Sequence, residues 1–64
     1  MLGYRLYILN DAGRIVGAVE AMHDGDAEAI AWAKQQLDRN DLELWTGARV
    51  VAELAKPTSA VSAQ

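Results

Sequence analysis

"ELWTGARVV", residues 43–51, reads as a hairpin with apolar residues on both of its faces. Leu42 and Leu44 alternate with Glu43 and Trp45, so the largest side chain points away from the two leucines. Beyond Gly47, Ala48, Val50, Ala52 and Leu54 alternate with Arg49, Val51 and Glu53. Alternation on both sides of a glycine predicts two strands and a tight turn. A three-residue loop Trp45-Thr46-Gly47, with Gly47 left-handed, would be a type I turn with a G1 bulge. It sets Leu44 beside Ala48 and Leu42 beside Val50, which matches the apolar pattern. A two-residue Thr46-Gly47 loop would place both leucines beside Arg49 and Val51, and the pattern disfavours it. One face is core, and the other still carries a Trp and a Val.

A second hairpin stands at the start of the chain. Tyr4, Leu6 and Ile8 alternate with Arg5, Tyr7 and Leu9 over residues 2–9, and residues 14–22 return with Ile15, Val16 and Val19. Between them "NDAG", residues 10–13, predicts a turn, with Gly13 able to take positive φ. A four-residue loop puts Leu6 and Ile8 on one face with Ile15 and Val19; a three-residue loop puts them with Val16 and Ala18. In either register both faces of this hairpin are apolar, because Tyr7 and Leu9 lie opposite Leu6 and Ile8.

Residues 23–40, "HDGDAEAIAWAKQQLDRN", join the hairpins and predict a helix. Asp24 is placed to cap it, and Asp26 and Glu28 fall in the first turn, where the helix dipole favours negative charge. Ala27, Ile30, Ala33, Lys34 and Leu37 share one face, with Lys34 snorkelling at its edge. Trp32 falls nearly opposite Ile30, among polar residues, and Asn40 can close the helix in the left-handed region. An alanine-rich face suits close approach to a sheet.

The order is therefore ββαββ: an α+β fold of two β-hairpins joined by one helix, packed on one face of an antiparallel or mixed sheet. Residues 1–55 form one domain, and Lys56 to Gln64, small and polar with Pro57, are expected to be a flexible tail. One helix covers one face of a four-stranded sheet. The other face must hold some of Arg5, Tyr7, Leu9, Trp45, Arg49 and Val51, and an uncovered apolar face points to a partner or ligand.

Bulk composition narrows the choices. With 64 residues, 52% hydrophobic and 23% charged, the chain is globular but small. A domain of about 60 residues buries only about 60% of its unfolded surface, and small domains lean on disulfides, metals or oligomerisation. There is no cysteine, so disulfides and thiolate metal sites are excluded and oligomerisation is the device left. Nine acidic residues outnumber six scattered basic ones, for a net charge of −3, which argues against a nucleic-acid partner. The first residues lack a signal-peptide pattern and no apolar run approaches a membrane span, so a cytoplasmic location is expected.

"YRLYILNDAGRI", an acidic helix entry before "AEAIAWA", and "ELWTGARVV" resemble a group of small alphaproteobacterial proteins with no assigned activity. Their shared pattern runs Tyr-Arg-x-Tyr-x-Leu-x-x-x-Gly-x-Ile, then Glu-Leu-Trp-x-Gly-x-Arg. The likeness spans residues 4–54, with Gly25 and Asn10 standing where the group often has an acid. It implies a compact domain in a bacterial cytoplasm and no particular reaction.

Chemistry is sparse. His23 with Asp24 and Asp26 could ligate a first-row metal, but helix capping already accounts for both carboxylates, and no metal or cofactor is expected. Serines occur only in the tail, and Thr46 lies in a turn without a base nearby in sequence, so no nucleophilic site is expected. Trp, Tyr and Arg are the residues most enriched at binding hot spots. Tyr7, Leu9, Trp45, Arg49 and Val51, with Trp32 on the helix, are accordingly the candidate interface residues. A non-enzymatic homodimer using this face is the leading expectation. A monomeric peptide- or protein-binding module is the alternative, and a small-molecule or nucleobase site the third.

Overall fold

In a computed structural model that describes residues 1–56, five elements follow one another: β1 (Leu2–Leu9), β2 (Ile15–His23), α1 (Asp26–Gln35), β3 (Asp41–Thr46) and β4 (Arg49–Leu54). The strands form one antiparallel sheet in the order β2-β1-β3-β4, so the first strand of each hairpin lies inside and the second at an edge. The helix carries the chain from the β2 edge back to the centre of the sheet. The expected α+β architecture, one helix on one face, is the one observed.

Tyr4 and Leu6 of β1, Leu42 and Leu44 of β3, and Ala29 and Ala33 of α1 are the buried core. Two alanines at the helix contact, neither exposed at all, let α1 lie close on the leucines. Ile30, Trp32 and Leu37 pack on its flanks, while Ala27 and Lys34 are exposed. The helix is thus rolled from the expected orientation. Two forces account for the roll: Asp26 is tied to Tyr4 and Arg49, and Trp32 has far more apolar area to bury than Lys34.

Local termini differ from expectation as well. Gly25, extended at φ −172°, is the N-cap rather than Asp24, and no side chain caps the helix. Asn40 does not turn left-handed, since among the described residues only Gly13 and Gly47 have positive φ; its side-chain amide instead donates to the Leu9 carbonyl at 2.8 Å, tying the loop before β3 to the end of β1. Lys56 is held by Asp41, whose carboxylate accepts its backbone N–H, and by an ion pair with Asp11. The remainder of the expected tail, residues 57–64, lies outside the described residues.

Each hairpin carries one extra residue in its edge strand. Around the first turn Asn10 and Arg14 pair, Gly13 donates to the Asn10 carbonyl, and the Asn10 side chain accepts from the amides of Ala12 and Arg14. Asp11, Ala12 and Gly13 therefore form a three-residue loop, with Gly13 at φ 81°. A plain ladder from that loop would set Leu6 beside Ala18. Instead the register shifts between Ile8 and Leu9: Leu9 pairs with Ile15 and Ile8 with Gly17, leaving Val16 unpaired. The bulge returns Val19 to the side of Leu6.

The second hairpin corrects the expected turn. Its loop is the two residues Gly47 and Ala48, closed by Thr46 opposite Arg49. A glycine at φ 60° followed by a residue of negative φ is a type II′ turn. The register then shifts between Leu44 and Trp45, so that Trp45 faces Val50, Leu44 faces Ala52 and Leu42 faces Leu54, and Val51 is the extra residue. The apolar matching that the three-residue loop was invoked to explain comes from this bulge.

Candidate functional site: the open sheet face

Strand alternation assigns each side chain to a side. On β1, Arg5, Tyr7 and Leu9 point opposite to buried Tyr4 and Leu6; on β3, Glu43 and Trp45 point opposite to Leu42 and Leu44. Arg5 sits across from Trp45 on one side and Glu20 on the other, so Arg5, Tyr7, Glu20 and Trp45 are neighbours on the side away from the helix. The rings of Tyr7 and Trp45 meet edge to face, their centroids 6.4 Å apart and their planes at 81°. That geometry aligns the positive edge of one ring with the negative face of the other. The Trp45 indole N–H donates to the Glu43 carboxylate at 3.2 Å, which fixes the ring over the sheet.

Beside this pair runs a shallow groove of about 520 Å³, walled by Gly3, Arg5, Tyr7, Glu20, Met22 and Trp45. Arg5 and Glu20, both lining it, form an exposed ion pair. A Cβ at Gly3 would rest at ordinary contact distance, 3.7 Å, from the Met22 sulfur. Aromatic and apolar side chains around one internally neutralised charge pair suit a surface that is covered by another molecule without stranding a charge.

Of the candidate residues, Tyr7, Leu9 and Trp45 share this face; Arg49, Val51 and Trp32 do not join them. Arg49 faces the helix, where its Nη1 and Nη2 donate to Asp26 at 3.2 and 3.3 Å. Val51, displaced by the bulge, packs on the core cluster. Trp32 also packs on the core, and its ring tilts at 41° over His23 with centroids 4.9 Å apart. Val50 and Met22, both exposed, bring apolar surface to the edges of the open face instead.

A second polar cluster lies on the helix side. The Tyr4 hydroxyl donates to Asp26 at 2.8 Å, and Arg49 grips the same carboxylate with two N–H groups. Arg49 first, and then Tyr4, hold the Asp26 carboxyl below its ordinary value, while burial and the Asp26 contact raise the Tyr4 hydroxyl. The trio links β1, β4 and the first turn of α1. It was not legible from sequence spacing, because its members lie 22 and 23 residues apart.

His23 does not gather with Asp24 and Asp26. It ends β2 between Trp32 and the Tyr4 ring, 6.0 Å away, and its Nδ1 lies 3.0 Å from a Glu28 oxygen. Among the described residues no group of three His, Cys, Asp or Glu side chains is placed to hold a metal ion. Nor is any described helix long and apolar enough to cross a membrane.

Architecture and site together define a small helix-on-sheet protein with one sheet face left open around an aromatic pair. No known family, curated protein or solved structure matches the chain.

Proposed function

We propose that the protein is a non-enzymatic interaction or regulatory protein that works as a homodimer, with the open aromatic sheet face as its self-contact. The observation that carries this reading is the Tyr7–Trp45 pair standing on the side of the sheet that the helix leaves uncovered. Size supports it, since a chain this small gains from covering apolar surface that its one helix cannot reach. The polar clusters also support a structural rather than catalytic role: Asp26 is spent on Tyr4 and Arg49, and Arg5 on Glu20. The sequence resemblance supports a bacterial, cytoplasmic setting.

Sedimentation equilibrium over a wide concentration range tests the proposal. The native chain should sediment as a multiple of its 6.9 kDa mass, with its Trp fluorescence shielded from a neutral quencher. Trp45→Ala should lower that mass at micromolar concentration. Full retention of mass by Trp45→Ala would rule the face out as a self-contact. A monomer with an open Trp45 would turn the same face toward a peptide or protein of another kind.

A further inference from the structure

The open face leaves one feature unexplained: exposed apolar side chains cluster on β2. Ile15, Val16, Val19 and Met22 are each between 43% and 59% exposed, and they are four of the seven large apolar residues so exposed among those described. Met1 and Leu2, two of the other three, lie at the end of β1 next to the same strand. The four do not share a face. Val19 lies on the helix side, opposite buried Leu6, at the mouth of a gap of about 190 Å³ that it lines with Leu6, Ile8 and Leu42. Met22 and Ile15 lie on the open side. A partner covering either face alone would leave the rest bare. Only a partner at the edge itself touches both.

As the terminal strand, β2 has a row of outward backbone N–H and C=O groups without a strand partner among the described residues. Edge strands are ordinarily blunted by charge, shortness or bulges. By that standard β4 is protected: it has six residues, Arg49 and Glu53, and a bulge at Val51 within the strand. β2 is not. It runs nine residues, its bulge sits near the turn at Val16, and Gly17 to His23 continue as unbroken ladder. Glu20 is the one acidic or basic residue between Ile15 and Met22, and Arg5 of the neighbouring strand already neutralises it.

We propose that the β2 edge pairs antiparallel with β2 of a second copy about a twofold axis at Val19, joining two four-stranded sheets into one of eight strands. Residues directly opposite in an antiparallel pair point to the same face, so the axis passes through a residue that faces its own copy. Centring on Glu20 would oppose two carboxylates, and centring on Ala21 would set Val19 against His23. With Val19 on the axis the two valines cover each other on the helix side, Gly17 meets Ala21, and Glu20 meets Ala18. A second copy fits better than a foreign strand, because this register sets valine on valine and glycine on alanine on the helix side, opposes Glu20 only to Ala18 on the open side, and leaves each Glu20 with its own Arg5.

The edge contact is independent of the face contact. Its axis is normal to the sheet, whereas a face-to-face twofold runs parallel to it, and an assembly in which the two axes intersect closes as a tetramer with the helices outermost.

The chain has no cysteine, which allows a direct test. Paired residues across an antiparallel ladder have Cα atoms about 4.5–5.5 Å apart, within disulfide reach. Val19→Cys should oxidise to a covalent dimer at low micromolar concentration, while Ala31→Cys, on the exposed helix face, should not. Val19→Lys, whose charge would face its copy across the axis, should halve the sedimenting mass of the folded native assembly. A native chain that is monomeric at every concentration would overturn the edge contact. So would Val19→Lys with native mass, or Val19→Cys that links no faster than Ala31→Cys. Should Val19→Lys fail to fold, the nearly isosteric Val19→Cys decides alone. Trp45→Ala separates the two contacts: reduced mass with Val19→Cys linkage intact assigns the remaining contact to the edge, and unchanged mass removes the face contact without touching the edge.

Discussion

Replacing Leu44 and Trp45 by alanine, one at a time, probes the alternation on which every assignment of a side chain to a face depends. The two residues are adjacent in β3 and point to opposite sides, Leu44 wholly enclosed and Trp45 half-buried over the open face. Leu44→Ala removes three carbons from the centre of the core. At about 0.8 kcal/mol per buried methylene the transfer loss is about 2.4 kcal/mol. The cavity left between Leu6, Leu42 and the two helix alanines brings the cost to about 3–5 kcal/mol. Trp45→Ala loses an edge-to-face contact worth about 0.5–1.5 kcal/mol and part of a half-buried surface. A chain of this length has about 3–10 kcal/mol in all. The first substitution therefore takes a large share of the stability, and the second a smaller one. Urea titration followed by circular dichroism, at the lowest workable protein concentration, reads both costs. With a urea dependence of about 1 kcal/mol per molar, Leu44→Ala should lower the midpoint by about 3 M or leave no folded baseline. Trp45→Ala should lower it by less, about 2 M, the ring contact and the lost burial together. Equal shifts, or a larger one for Trp45→Ala in dilute solution, would refute the assignment of the two side chains to core and open face.

Acid should weaken the fold through the carboxylates that hold it together. Asp26, lowered by Arg49 and then Tyr4, and Asp11, lowered by Lys56, bind protons less readily folded than unfolded. Their contribution is present above the unfolded carboxylate value of about 4 and is lost as pH falls through the folded values. The urea midpoint should decline as pH falls below about 4, and Asp26→Asn should be weaker at neutral pH with a shallower decline. An undiminished acid slope in that variant would show that Asp26 is not one of the groups responsible. At the second turn, Gly47→Ala should cost about 1–2 kcal/mol through backbone conformation alone, since φ is 60° and open space surrounds the position. Gly3→Ala, whose new methyl would rest at ordinary distance from the Met22 sulfur, should change the thermal midpoint little.

Element identity was legible in the sequence because period-two alternation and turn residues report directly on backbone shape. Tyr4, Leu6, Leu42 and Leu44 are core as their spacing implies. Register was not legible, because a bulge shifts the pattern by one residue without any composition of its own: Val16 and Val51 look like ordinary strand valines. The two-residue turn set Arg49 opposite Thr46 on the helix side, and the bulge beyond it left Val51 as the extra residue against the core, which together removed two members from the expected open-face set. Trp32 was misplaced for a different reason. Helical wheel position sets it among polar neighbours, but the Asp26 tie to Tyr4 and Arg49 rolls the helix and presents the indole to His23. Long-range contacts of this kind leave no mark in local spacing. Tyr7 and Trp45, by contrast, were placed correctly on the face away from the core, because both belong to inner strands without a bulge of their own.

The unpaired valines also bear on how such a domain tolerates changes in length. Removing one residue from a regular strand turns everything beyond it inside out, and the core cannot survive that inversion. Removing Val51 would not do so: Trp45 would still oppose Val50 and Leu44 would still oppose Ala52, now in an unbroken ladder. The same holds for Val16 between Ile15 and Gly17. Each edge strand thus holds a site where one residue can be gained or lost while the inner strands keep their facing. Insertions and deletions in this architecture therefore have a route through its edges, where shape changes while the leucine centre does not.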